Sequence, residues 1–480
     1  MKNDVCNVAV LLMFVSLLLL GAGPVFGSTD DPNFIARNPY PADGEINVSV
    51  EPNLTLTWDI GDANTEGYTI EYDVYYGTDQ NEVETSTNPP VIGIEATSHT
   101  LSGLEHETEY FWRIDTRETY WDPDNFPPIV TFRIIQGNVW SFTTGPAPPR
   151  VITVDDDGSA DFNNIQAAIH DSNDGDTVLV ADGTYTGHRN RNIDIRGKTI
   201  TVKSENGPEN CIIDAEHFAR VFEVYHEAAD SILDGFTIVR GTPKSPVLTW
   251  YGGAIAGSLT IRNCIFVANY ADFGGAIYGD PTIINCVFSD NEASCLGSAI
   301  CCDSATIVNC TISNNLSTSV WGDAAAVTCS GYTTIVNSIL WSNEICQIAG
   351  SPTVMYSDVQ GGWPGDGNID ADPCFADPNN GDYHLKSQGG RYEPTEGRWT
   401  IDDVTSPCID AGDPMTPIGQ EPFPNGGIIN MGGYGGTKEA SKSYFGQPLC
   451  ETIMAGDVNG DCEINFEDFR LMALHWCEEW

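Results

Sequence analysis

The chain has 480 residues and 15 cysteines, with 68 Asp and Glu against 21 Lys and Arg, for a formal net charge of −47. That balance excludes a nucleic-acid footprint, which needs clustered cations. It also opposes unaided capture of acidic polysaccharides, whereas a neutral glycan or a bridging divalent cation meets no such barrier.

Val8 to Leu20 is an uncharged, mostly apolar run behind Lys2, and it gives way to the small-residue stretch "PVFGS". Residues 1–27 are therefore expected to be a signal peptide, cut after Gly27. The run is short for a bilayer span and no other segment approaches that length. The mature chain is expected to be secreted or cell-surface associated, with no membrane span. Export permits disulfides, yet no cysteine lies between residues 7 and 210, so the cysteines fall into local groups.

Residues 33–144 read as an all-β module: "LTLTW", "EYDVYYG", "EYFWRIDT" and "NVWSFTT" alternate apolar and polar residues between turn signals. "LSGLEHETEYFWRI" (101–114) resembles the corner of fibronectin type III domains, with Tyr110 as the corner tyrosine and Trp112 pointing inward. The resemblance implies a β-sandwich that acts as a spacer or docking platform. "GPAPPR" (145–150) is a proline-stiffened linker.

In "DFNNIQAAI" the apolar residues Phe162, Ile165, Ala168 and Ile169 share one helical face behind a cap signal at Asp161. "DTVLVADGTY" then reads as a strand. Farther on, "IRNCIFVAN", "INCVFSDN", "IVNCTISNN" and "IVNSILWSN" repeat one pattern. Their first asparagines are Asn263, Asn285, Asn309 and Asn337, in steps of 22, 24 and 28 residues; the second are Asn269, Asn291, Asn315 and Asn343. Such periods mean stacked coils, with equivalent residues about 4.8 Å apart. Both asparagine sets are expected to form ladders in which each amide satisfies its neighbours and the turn backbone. Cys264, Cys286 and Cys310 follow the first set and read as small buried hydrophobes, because three stacked cysteines cannot all pair.

Glycines at 252, 274, 297 and 322 keep the same register, each preceded by Tyr251, Phe273, Leu296 or Trp321. Those four are either an aromatic platform for sugar rings or an apolar corner stack; Leu296 argues for the stack. Residues 151–440 resemble the right-handed parallel β-helices of the pectin-lyase-like type, from the capping helix through the early coil "NIDIRGKTITVKS". "IDADPCFADPNNGDYHL", "SPCIDAGDP" and "GGIINMGGYGGT" resemble the closing coils of that family. Cys374 and Cys408 stand where the family carries plain apolar residues, and the paired replacement suggests a disulfide.

In the tail (445–480), "DVNGDCEINFED" places Asp457, Asn459, Asp461, Asn465 and Asp468 at positions 1, 3, 5, 9 and 12, with the Glu463 carbonyl at 7. That is the oxygen layout a Ca²⁺ loop needs. The stretch resembles half of a dockerin, the module that fastens bacterial polysaccharide-degrading enzymes to cohesin-bearing scaffolds. Three features depart from that pattern: Cys462 replaces the turn glycine, there is one loop instead of two, and Phe466-Glu467 replaces small hydroxyl residues. Ca²⁺ is the expected cofactor; a cohesin-like or surface-anchoring partner depends on one loop sufficing. Cys450, Cys462 and Cys477 allow three pairings, of which Cys450–Cys462 would lock the loop.

The β-helix resemblance implies binding or cleavage of polysaccharide, but the family's hydrolase strings are missing. Only pairs such as Asp402-Asp403 occur, in a late loop. A β-eliminating lyase needs an Arg or Lys base beside a cation that neutralises the uronate. From Asn263 to Leu385 there is no Lys or Arg. Basic candidates are confined to His188, Arg189, Arg191, Arg196 and Lys198 in the first coils. The fold class is thus all-β, a sandwich followed by a β-helix and a small helical calcium-loop tail. The function is either a surface protein that binds polysaccharide or other surface partners through its solenoid, or a polysaccharide lyase or glycoside hydrolase with an unfamiliar site.

The tail carries its own test. Four acidic residues in the loop repel one another without a cation, so a 445–480 peptide is expected to gain helical circular dichroism on adding Ca²⁺. Asp457→Ala should abolish the gain and Glu467→Ala should not; an unresponsive spectrum would reject the loop.

Overall fold

The computed structural model describes residues 35–60, 68–122, 129–224, 230–244, 250–318, 325–446 and 464–474. The expected signal peptide, the three tail cysteines and Asp457, Asn459, Asp461 and Glu463 lie outside these residues. Two compact units divide the chain at Pro148–Pro149. No helix among the described residues is long and apolar enough to cross a membrane.

In the first unit the alternation in Leu54–Asp59 buries every second side chain. Leu56 and Trp58 thereby join Tyr72, Val74, Trp112, Ile114 and Phe142 in one core. Leu54–Asp59 sits between Arg37–Tyr40 and Ser98–Leu101 in a three-stranded sheet, and Glu109–Asp122 pairs with Tyr68–Gly77 and Val139–Thr144 in a second. Tyr110 accepts a hydrogen bond from the Glu105 N–H at 2.9 Å, the corner contact expected of it. Arg113 was not singled out by the sequence. It is buried, pairs with Asp115 at 2.8 Å, and donates to the Val83, Glu84 and Ser86 carbonyls that end helix Gln80–Thr85.

The second unit is a parallel β-helix. Its coils run through a nine-stranded sheet (Val151–Val154 to Thr353–Met355) and an eight-stranded sheet (Gly183–Tyr185 to Asp358–Val359), with a six-stranded sheet (Phe222–Glu223 to Ile348–Ala349) as a third side. Register is exact in residue type: Ile261, Ile283, Ile307 and Ile335 stack in successive strands, all fully buried. Phe266 and Phe288 stack face to face at 4.7 Å in the same core. Helix Ile165–Asp171 closes the first end with Ile165, Ala168 and Ile169. Its cap is Asn164, whose side chain accepts from the Ala167 N–H; Asp161 instead accepts from Thr153.

The second asparagine set forms the expected ladder. Asn269, Asn291 and Asn315 each donate their Nδ2 and their backbone N–H to the Oδ1 of the next asparagine, at 2.9–3.1 Å, down to Asn343. Each also donates to a carbonyl of the coil above, and Gln347 closes the last rung at 2.6 Å. The first set does not ladder in this way. Asn263, Asn285, Asn309 and Asn337 have φ between +49° and +53°, a left-handed turn that asparagine tolerates better than most residues. Their amides point to other partners: Asn263 to Asp234, Asn285 to the Gly435 carbonyl, Asn309 to the Asn430 carbonyl. Only Asn337 reaches back to its neighbour, at 3.3 Å.

The cysteines do more than fill space. The Phe236 and Cys264 N–H groups donate to the sulfurs of Cys264 and Cys286, and Ser338 and Ser357 continue the row with their hydroxyls. All three are free thiols whose S–H donates to a carbonyl two residues back. The serine in "IVNSIL" was the visible sign that this position needs a hydrogen-bonding side chain.

Of the residues expected as closing coils, Ile369 alone continues the solenoid, through a parallel bridge to Asp358. The eight-stranded sheet ends at Val359, and the chain after Ile369 forms two antiparallel pairs before running back outside the helix as a strap. Gly432 donates to the Asn337 carbonyl and Gly433 to Thr311, while Asn285 holds Gly435, so the strap crosses coil edges toward the N-terminal end. Phe375, Tyr383, Leu385, Cys408 and Met431 pack on Val287 and Ile339 beneath it. Cys374 and Cys408 are not joined. Cys408 is buried and donates its thiol proton to Asp358 at 3.2 Å, a contact that a disulfide would remove.

Asn291→Leu should leave the Asn269 N–H and Nδ2 without their shared acceptor. We expect a loss of about 3 kcal/mol in urea unfolding, given roughly 1–3 kcal/mol per buried unpaired group. A change below about 1 kcal/mol would show that the ladder is dispensable.

Candidate functional site

Because the strap covers only the later coils, an open cleft of about 810 Å³ remains beside the earlier ones. Its coil wall carries Glu205, Glu209, Asp234 and Asn263; its strap wall carries Tyr392, Tyr434, Lys438 and Glu439. Turn residues 205–210 supply the first group because the chain leaves strand Thr201–Ser204 there before entering Cys211–Asp214. Asp234 is committed to the frame: it accepts from Arg262 Nε at 3.0 Å and from Asn263 at 2.8 Å. The remaining carboxylates, Glu205, Glu209 and Glu439, outnumber Lys203 and Lys438.

Behind the strap wall lies a chain of alternating charges. Arg391 is buried and reaches Asp402 and Asp382, each at 3.3 Å. Asp382 Oδ1 meets His384 Nδ1 at 2.7 Å, and His384 Nε2 stands 3.7 Å from Glu439 Oε2 at the cleft. The His384 side chain is 1 % exposed, its ring lies on Tyr434 at 3.7 Å, and Nε2 makes no hydrogen bond. Burial disfavours charge on His384, but Asp382 and Glu439 outweigh it and raise its pKa. Burial likewise pushes the Asp382 carboxyl up, and His384 with Arg391 more than reverses that. On the facing wall Glu209 is exposed; desolvation first and then the charge of Glu439 raise its carboxyl pKa, with His384 and Lys438 opposing them.

None of Glu209, His384 or Glu439 was identified from the sequence. They stand in three distant segments, and only "DYHL" hinted at a carboxylate–imidazole pair. The basic residues of the first coils lie elsewhere. Lys198 caps the first helix, donating to the Ile169, His170 and Ser172 carbonyls, and Arg196 meets His170. His188, Arg189 and Arg191 line a separate open hollow beside that helix. Asp155, Asp156 and Asp157 each place one ligand oxygen within 4.8 Å of the others, an exposed grouping common without a metal.

Of the six calcium-loop positions only Asn465 and Asp468 are described. Asp468 is buried and accepts the Asn465 N–H at 2.7 Å, at the start of helix Phe466–Leu474. On that helix Phe469 and Met472 are exposed. Tyr251 and Phe273 lie 5.4 Å apart, and Phe273 pairs with Leu296 in the next coil, as an apolar corner requires; Tyr278 also reaches Tyr251, at 4.5 Å.

Among known proteins, a family model described as disaggregatase related matches residues 252–412. The match takes in the asparagine coils and the chain beyond them as far as Gly412, including Asp382, His384 and Arg391, but neither Glu209 nor Glu439. No curated protein matches the chain.

The strap is anchored by carboxyls whose burial raises their pKa. Glu421 accepts the Asn430 and Gly436 N–H groups at 2.8 Å and is pushed up to about 7; Asp410 and Asp358 are pushed up to about 6. A raised folded-state pKa gives stability that is complete below the unfolded value, near 4, and lost as pH climbs through 6 to 7. Between about pH 5 and about pH 8 the urea midpoint should therefore fall, Glu421 alone accounting for on the order of 3 kcal/mol. Glu421→Gln should remove much of that slope. A midpoint that rises with pH would contradict the assignment.

Proposed function

We propose that this chain is an exported β-helix protein that binds a neutral or amino-sugar polysaccharide in the cleft between its early coils and its strap. The observation that carries this reading is the cleft itself: open, walled on one side by the coil edge, and lined by carboxylates, amides and the rings of Tyr392 and Tyr434. Carboxylates and amides match sugar hydroxyls, and tyrosine rings match the apolar faces of pyranoses. The acidic lining disfavours uronates, which weighs against a β-eliminating lyase. The disaggregatase-related match is consistent with a polysaccharide-facing role.

In the same reading the tail binds Ca²⁺ through Asp457, Asn459, Asp461, Glu463, Asn465 and Asp468. The exposed apolar residues of its helix then offer a docking face to a cohesin-like or other surface-anchoring partner. The N-terminal sandwich, resembling a fibronectin type III module, serves as the spacer.

Affinity electrophoresis tests the cleft. Retardation is expected in gels containing β-glucan, galactan or glycol chitosan and not in polygalacturonate. Tyr392→Ala should weaken it about tenfold, the loss of roughly one ring–sugar contact. Retardation by polygalacturonate alone, or unchanged by Tyr392→Ala, would reject the reading.

A further inference from the structure

We infer that Tyr251 and Tyr278, on a corner of the solenoid outside the cleft, form a second glycan-binding surface that stacks pyranose rings of a neutral or amino-sugar polymer. The ligand class rests on the proposed function, but neither tyrosine lines the cleft.

Tyr278 faces outward from strand Ile277–Tyr278 in the six-stranded sheet. In register with it, the other coils carry Ala256, Cys301, Thr328 and Ala349. Small side chains satisfy the position in those four coils, so the solenoid has no need of a ring there. Tyr251 stacks in line with Phe273 and Leu296, a place that calls for an apolar side chain of any shape. The corner that follows Tyr251 is Gly252-Gly253, and a Cβ on either glycine would lie 2.0 Å from a carbonyl oxygen. The corner is therefore bare, and the Tyr251 ring meets the Tyr278 ring across it at 4.5 Å, with 43° between their planes. Phe273 braces the Tyr251 ring at 5.4 Å. Both tyrosines nevertheless stay 37 % exposed.

The surroundings select the occupant. Tyrosine rings match the apolar faces of pyranoses. The row beside Tyr278 carries no charged residue from Ala256 to Ala349, so it offers an ionic partner nothing to pair with. Asp280 and Asp303, whose charges reach Tyr278, are exposed, and Asp280 accepts the Asp303 and Ser304 N–H groups at 2.8 and 2.7 Å. Their remaining lone pairs suit sugar hydroxyls, and their charge repels uronates and sulfated sugars. A second copy of the chain is a poor occupant, because each copy carries a net charge of −47.

Affinity electrophoresis of the intact chain in β-glucan, galactan and glycol chitosan gels tests the surface. Tyr251→Leu with Tyr278→Ala introduces residue types that other coils already carry at these positions, Leu296 and Ala256, so the fold should be kept and a thermal melt checks it. The double variant should bind about tenfold more weakly in the gel that retards the wild type, the loss of roughly one ring–sugar contact. Tyr278→Phe, which keeps the ring, should bind as the wild type does. Combining the double variant with Tyr392→Ala should weaken binding beyond either change alone. A folded double variant that is retarded like the wild type, while Tyr392→Ala is not, would overturn this surface and leave the cleft reading in place. Weakening by the double variant but not by Tyr392→Ala would support the surface and reject the cleft. Self-association of the wild type that the double variant abolishes, with retardation unchanged, would mark an interface between copies and overturn the inference. No retardation of the wild type in any of the three gels would overturn both readings.

Discussion

The coil turns carry the constraint on which the rest of the second unit depends. Every coil must reverse direction within a few residues, burying backbone amides that no strand can pair. The row from Asn269 to Asn343 solves this with one side chain per coil, each carboxamide both accepting from the coil above and donating to it and to the coil below. Because the solution is translational, it forces the coils into register, and the isoleucine and phenylalanine stacks follow. The same logic explains why cysteine and serine share one position. Both are small, and both can accept an N–H while donating to a carbonyl.

The left-handed asparagines serve a different end. Asparagine at φ near +50° makes the corner, and its amide is then free to face outward. Where the strap passes, that amide becomes an anchor: Asn309 and Asn337 are buried, while Asn263, at the same coil position, stays exposed. This gradient of burial marks where the strap stops, and the cleft begins there. The site is thus a consequence of incomplete coverage of a regular object, not of a special coil.

That geometry also accounts for the charge arrangement. A bare β-helix offers a wall of modest relief on which isolated carboxylates remain solvated. Bringing the strap against it sets Glu439 and its buried histidine opposite Glu209, which stays exposed. The cost is a set of buried carboxyls, Glu421, Asp410 and Asp358, that hold the strap while resisting ionisation.

Much of the fold was legible in the amino-acid order, because a solenoid is nearly one-dimensional: each coil meets only its neighbours, so contacts recur at a fixed sequence interval. The period at Asn263, Asn285 and Asn309, the capping helix and the alternating strands of the first unit all have that local character. The strap does not. Its sequence resembled further coils, yet it bonds to coil residues as many as 150 positions earlier, and no period links Asn285 to Gly435. The supposed Cys374–Cys408 bridge failed for the same reason, since Asp358, the group that claims the Cys408 thiol, is distant in sequence. Residue type alone set the ladders, the corners and the acidity of the chain. The joining of Glu209 to Glu439 and His384 was decided by tertiary structure, because only the return of the strap across the coil edges brings these separate segments to one cleft.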